Sequence, residues 1–342
     1  MDLIPTPAQL ASAAANVAFA ALNGGSADLR PMPRSLISRT TMGELYSYDS
    51  TAVGNPVLLV APNRSMARAF DLRRGCSLVE HLVQSRPTYI VEYDGATDLR
   101  ECVEHVIPDS VRDVSADAGQ RPVHIVGWSV GGVLAALSAA AQKLPIASLS
   151  LVSTPIDISG VPALAPARPL LDLSAVPTPV SAAYRLLGGG PIPFVGELVT
   201  NQAVQGLVAT PLAKLRRLDD REFLAQVEAV DRLAGEASPY SGREFGRLFH
   251  QVLAGVDLPS GAIRLGRRRV RLSAIEVPVL IAAGNLDTIA PLATIKPWAK
   301  LLSGSPEVQF EIVPGGHLGA LTGRAAREDT WPSLVEWFDT NG

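Results

Sequence analysis

The chain has 342 residues, 47% of them hydrophobic, enough to bury the core of one large α/β domain or two small ones. A formal net charge of −3 leaves no basic footprint for nucleic acid. Two cysteines, Cys76 and Cys102, are too few for a secreted disulfide framework, and the five histidines lack zinc spacing, so neither a metal nor another cofactor is implied.

The first apolar stretch, residues 8–22, has no basic residues before it, is interrupted by Gln9 and Asn16, and is too short to span a bilayer. It reads as an Ala-rich helix packed on the domain or offering a weak association surface, in a cytoplasmic protein without a transmembrane segment. From Asn55 onward, strand and helix signals alternate, as in a mainly parallel sheet covered by helices. Val57 to Val60 is a buried strand, Ser77 to Gln84 a helix, and Thr88 to Glu92 the next strand. A polar helix follows over about Leu99 to Ala118, interrupted at Pro108. Then come a strand at Val123 to Val126, a helix at Val133 to Ala141 and a strand at Ala147 to Val152. Val277 to Ala283 and Val308 to Val313 supply two late strands, and Trp331 to Phe338 begins the last helix.

Residues 158–270 break this alternation with a Pro-rich start and a helical stretch near Leu218 to Leu233. A structureless loop of that length is implausible inside a compact domain, so an inserted helical cap is expected. The expected division is a helical or irregular extension over 1–54, the first part of the core over 55–157, the cap over 158–270 and the rest of the core over 271–342.

The run Gly127-Trp128-Ser129-Val130-Gly131 sets one serine between glycines where the apolar strand gives way to the Ala-rich helix. A strained turn there pushes the hydroxyl into the open, and glycine on either side removes the clash that a side chain would cause. The Val130 N–H, in the new helix's first turn, is the natural oxyanion donor. A second donor is expected after the strand at Val57 to Val60, where Pro62 has no N–H and Asn63 is the first candidate. Arg64 beside it either meets an anionic substrate group or is simply solvated.

A serine hydroxyl needs a base to take its proton, and the base needs an orienting acid. His317, in Gly315-Gly316-His317-Leu318-Gly319, follows the strand ending at Val313, and Asp287 follows the strand ending at Ala283. The order Ser129, Asp287, His317 is that of α/β-hydrolases, with both late residues at the C-terminal ends of strands. Asp157 also follows a strand and is the alternative acid, or else a turn residue or N-cap. His124 reads as structural.

From about Asn55 to the C-terminus the chain resembles the polyhydroxyalkanoate synthases, within the α/β-hydrolase superfamily. The resemblance runs through Phe70-Asp71-Leu72, Tyr89-Ile90-Val91, the elbow and Thr154-Pro155-Ile156-Asp157. It continues through Leu218-Asp219-Asp220-Arg221, Ile263-Arg264-Leu265-Gly266, Asp287 and Pro314-Gly315-Gly316-His317. It implies an α/β-hydrolase fold, with a mainly parallel, doubly wound sheet and a helical cap. Those synthases carry cysteine at the elbow, where this chain has Ser129. Serine forms an oxyester, as in lipases, esterases and many thioesterases, and Gly127-Trp128-Ser129 is itself similar to thioesterase elbows.

The expected activity is therefore serine-dependent hydrolysis of an acyl ester or thioester through an acyl-Ser129 intermediate, with acyl-CoA as one candidate substrate. The alternatives are transfer to an alcohol, polyester synthesis with serine, and a catalytically silent binding homologue. The partner is a small-molecule acyl compound, and a homodimer is one option for assembly.

Overall fold

The computed structural model describes residues 6–93, 98–157, 211–236, 258–265 and 267–342. In chain order the strands are β1 (Arg34–Arg39), β2 (Gly43–Tyr48), β3 (Val57–Val60), β4 (Thr88–Tyr93) and β5 (Val123–Trp128). They continue as β6 (Ile146–Val152), β7 (Ala262–Leu265), β8 (Arg268–Arg271), β9 (Val279–Gly284) and β10 (Val308–Val313). Eight of them form one sheet in the order β1-β2-β4-β3-β5-β6-β9-β10. The pairs from β4 to β10 are parallel, and β1 and β2 join antiparallel at one edge. The mainly parallel α/β-hydrolase sheet expected from the sequence is thus present.

Central strands read as unbroken apolar runs because both of their faces are covered. Alternate side chains go to opposite sides: Leu58, Val60, Ile125, Leu149 and Ile281 join one core, while Val57, Leu59, Val126, Leu280 and Ala282 join the other. On the first side lie α3 (Ile107–Asp117) and α4 (Val130–Ala141); on the second lie α2 (Leu78–Leu82), α5 (Arg221–Glu236) and α6 (Thr330–Thr340). The Ala-rich sequence of α4 lets it sit close against the sheet, with Val133, Leu134 and Leu137 wholly or almost wholly buried.

Three expectations need correcting. Residues 1–54 are not merely an extension. After the N-terminal helix α1 (Pro7–Asn23), β1 and β2 belong to the main sheet, and Leu45 and Tyr48 are buried. The polar helix is not interrupted at Pro108. The chain is helical from Leu99–Glu101, widens to a π turn over Cys102–Val106 and runs on as α3. Within the widened turn the Ile107 N–H reaches back to the Cys102 carbonyl. Pro108 has no N–H to offer the Glu104 carbonyl, and the Gln142 side chain donates to it instead at 2.8 Å. Finally, the end of the span 158–270 is not cap-like. β7 and β8 form a hairpin whose Ile263, Leu265 and Val270 join the core on the α4 side, and Arg268 donates to the Ala141 carbonyl.

Most of the expected cap, 158–210 and 237–257, lies outside the described residues. The expected helix near Leu218 to Leu233 is found as α5, which buries Ala225, Ala229, Val230 and Leu233. Helix α1 buries no residue. It is tied down by Asn16, which donates to the Leu218 carbonyl at 2.8 Å, and by Phe19, whose ring lies 3.6 Å from the Arg221 guanidinium. Among the described residues no helix is long and apolar enough to cross a membrane.

Candidate active site

Strand β5 delivers Ser129 to a turn with φ 55° and ψ −128°, a left-handed conformation that a non-glycine residue adopts only under constraint. The constraint is visible in its neighbours. A Cβ on Gly127 would stand 2.4 Å from the Gly132 Cα, and one on Gly131 would stand 2.2 Å from the Val60 carbonyl oxygen. Only glycine lets strand, turn and helix cross so closely. The Ser129 N–H donates to the Val152 carbonyl at 3.0 Å, and the Ser129 carbonyl accepts from Gly132 at 3.1 Å.

The structure brings Ser129, Asp287 and His317 together. The Ser129 Oγ lies 2.9 Å from the His317 Nε2, and the His317 Nδ1 lies 2.9 Å from the Asp287 Oδ2. All three are buried, at 8%, 6% and 8% exposure for Ser129, Asp287 and His317. An ionised carboxylate only accepts, so the proton sits on Nδ1, and the free pair on Nε2 then accepts from the serine hydroxyl. That is the tautomer a general base requires. The other Asp287 oxygen accepts from the Ile289 and Ala290 N–H groups at 2.9 and 2.7 Å, which fixes the carboxylate plane.

The loops carrying Asp287 and His317 are stitched to each other. Asn285 N–H donates to the Val313 carbonyl and Leu286 N–H to the Gly315 carbonyl, both at 2.9 Å, while the Asn285 side chain accepts from Gly315 N–H at 3.0 Å. Trp128 donates its indole N–H to the His317 carbonyl at 3.0 Å. Neither Asn285 nor Trp128 is assigned this role by the sequence alone. An asparagine just past a strand, two residues before the acid, was the only available signal.

Other expected residues fall into place differently. Val130 begins α4, and Asn63 caps a 3₁₀ helix over Arg64–Asp71. The Asn63 side-chain oxygen accepts from the Met66 N–H at 3.0 Å and from the Ser65 hydroxyl at 2.9 Å, which fixes the side chain at the helix cap. Neither the Asn63 nor the Val130 N–H has an acceptor among the described residues. Asp157 is not the partner of the imidazole, whose two nitrogens are taken by Asp287 and Ser129; its N–H donates to the Thr294 carbonyl at 3.4 Å. Arg64 is neither simply solvated nor aimed at the serine, because its guanidinium pairs with Glu44 at 2.8 Å. Among the described residues no three His, Cys, Asp or Glu side chains gather as metal ligands.

Residues 93–323, more than half of the chain, match the alpha/beta hydrolase fold family. Over 322 residues the chain is 21% identical to a poly(3-hydroxyalkanoate) polymerase subunit PhaC from Haloferax mediterranei. That match covers 90% of this chain but 63% of the longer relative. The Allochromatium vinosum PhaC is also 21% identical, with 93% of this chain and 91% of that protein covered. Among solved structures, an esterase from Rhodococcus sp. ECU1013 is similar with TM-score 0.55 at 15% identity, covering 91% of this chain and all of that one. A thermophilic esterase from Thermogutta terrifontis gives TM-score 0.52 at 18% identity, covering 90% of this chain and 98% of its own. A mostly parallel sheet, a serine on a strained strand-to-helix turn and a family match over most of these elements lead to one assignment: the chain belongs to the alpha/beta hydrolase fold family.

Proposed function

We propose that the protein is a serine hydrolase of acyl esters or thioesters. The observation that carries this reading is the continuous chain of hydrogen bonds from the Ser129 hydroxyl through His317 to Asp287. In the forward step His317 Nε2 takes the Ser129 proton while Oγ bonds to the acyl carbon, and the carbonyl oxygen becomes an anion held by the Val130 and Asn63 N–H groups. Collapse breaks the bond to the alcohol or thiol, which leaves with the proton from His317. Water then repeats the sequence on acyl-Ser129, giving the free acid and restoring the serine. Asp287 keeps the imidazole in the useful tautomer and stabilises its cation without itself taking the proton.

Acyl transfer is the second reading, favoured by the distant homology to poly(3-hydroxyalkanoate) polymerase subunits over most of the chain. An alcohol would then replace water in the second half of the cycle. Product analysis separates the two. With an acyl-CoA and no added alcohol, hydrolysis yields acid and free thiol in equal amounts. If an added hydroxyacyl acceptor diverts most of the acyl group into ester, transfer is the activity. Ser129→Ala should remove both products, and turnover retained in that variant would end the serine mechanism. An absence of any turnover by the wild type, across ester and thioester substrates, would favour a silent binding homologue.

A further inference from the structure

His317 lies in a loop with glycine at 315, 316 and 319, and Gly315 adopts φ 113°. Glycine restricts the backbone little, so the place of the imidazole depends on the bonds that hold this loop. Movement of its backbone by a fraction of an ångström would open the 2.9 Å contact to Ser129. Bonds from Asn285 and Leu286 hold the loop at Gly315, two residues before the imidazole. At His317 itself, the backbone carbonyl is held by Trp128.

Trp128 is 1% exposed and packs with Val126, Leu280, Ala282, Val313 and Leu318 in one core. Its Nε1–H donates to the His317 carbonyl at 3.0 Å, and its ring packs against the imidazole with centroids 5.4 Å apart and planes at 42°. Trp128 and Ser129 are consecutive, at the end of the same buried strand. One end of His317, its carbonyl, is therefore fixed to β5 through Trp128, and the other end, Nε2, meets the residue that follows on the same backbone. Drift of the glycine loop away from the nucleophile must break the indole bond, leaving a buried donor unsatisfied.

We propose that Trp128 is a positioning residue that holds the His317 imidazole in register with Ser129. The proposal rests on the reading of Ser129 as the nucleophile given above. The indole touches no reacting atom, so its effect belongs on kcat rather than on substrate affinity. Hydrophobic bulk alone would fill the same core volume; the N–H is what the role needs.

Two variants isolate that N–H. Trp128→Phe keeps an aromatic ring and removes the donor. A 3-benzothienylalanine installed at position 128 keeps the whole bicycle and replaces only the N–H with sulfur, so it remains informative if the phenylalanine variant folds poorly. The first readout is kcat per active site, with sites counted by fluorophosphonate labelling. The second is the proton resonance of His317 Nδ1–H, which needs no substrate. Misplacement by an ångström can cost about a hundredfold in rate, so kcat per site should fall about tenfold to a hundredfold, with KM changed less than about twofold. The Nδ1–H resonance should broaden through faster exchange. If the benzothienyl variant keeps both wild-type kcat per site and a wild-type resonance, Trp128 is core filling and the proposal is wrong, whatever happens to its melting temperature. If wild-type protein is never labelled at Ser129, the hydrolase reading fails instead, and the resonance comparison alone decides the role of Trp128.

Discussion

Strand β5 carries a serine–histidine contact at each of its ends, and the two could hardly differ more in chemistry. At the N-terminal end the His124 Nδ1 lies 2.8 Å from the Ser148 Oγ, and the imidazole stacks on Phe338 with centroids 4.7 Å apart. At the C-terminal end the His317 Nε2 lies 2.9 Å from the Ser129 Oγ. The distances are nearly the same, so proximity is not what distinguishes them. His124 is fully buried, and among the described residues its Nε2 has no hydrogen-bond partner and no carboxylate bonds to its ring. Burial, with help from the Arg86 charge, pushes its pKa down to about 3. Ser148 sits within β6, paired with His124 where the β5–β6 register shifts. Ser129, by contrast, stands on a strained turn at the start of α4, faces an imidazole tied to Asp287 and adjoins a backbone N–H with no acceptor among the described residues. A serine beside a histidine is a hydrogen bond; a fixed acid and a strained turn make it a candidate for catalysis.

The largest predicted effect comes from stripping that distinction away. Asp287→Asn should lower kcat by roughly 10³- to 10⁴-fold, because an amide can donate to Nδ1 and favour the wrong tautomer. Asp157→Asn should change it by less than about threefold, because Asp287 already holds the imidazole Nδ1. Steady-state kinetics of the two variants on one substrate checks both, and reversed losses would transfer the acid role to Asp157.

A second prediction breaks the turn rather than the charges. Gly131→Ala places a methyl group on the Val60 carbonyl, which is backbone in the centre of the sheet and has no room to move. The variant should lose about 3 kcal/mol or more of stability by urea denaturation, the upper range for overpacking. A variant that unfolds with the wild type would show that the elbow is looser than its contacts imply.

A third effect, seen only as pH falls, belongs to the buried histidine at the other end. The pKa of His124 is depressed in the folded state, so the unfolded chain takes up the proton first as pH falls. Its contribution is complete above the ordinary imidazole range near 6.5 and is lost progressively down to about 3. Wild-type protein should therefore lose on the order of a few kcal/mol across that window beyond what His124→Gln loses. Parallel pH dependences of the two proteins would contradict the assignment.

The difference between the ends of β5 was partly legible in the sequence. Glycines at 127 and 131 and the chain order Ser129, Asp287, His317 announced the upper end, because sterics and topology leave few alternatives there. What the sequence hid was decided by tertiary pairing. In β1, a bulge between Leu36 and Ser38 breaks the alternation that marks a strand. In β2, the buried residues Leu45 and Tyr48 are spaced by three rather than two. The arginine-rich β8 reads as polar, yet Val270 alone turns inward and ties the hairpin to the α4 side. The bond made by Trp128 was not legible because a donor's acceptor, 189 positions away, cannot be read from local pattern.

The most direct test of the central claim is a fluorophosphonate labelling experiment read by intact-mass and peptide mass spectrometry. The account predicts a single adduct per chain, mapped to Ser129, absent in Ser129→Ala, much slower in His317→Ala, and unaffected by Ser148→Ala. An adduct on any other residue, or labelling of Ser129→Ala at the wild-type rate, would contradict it.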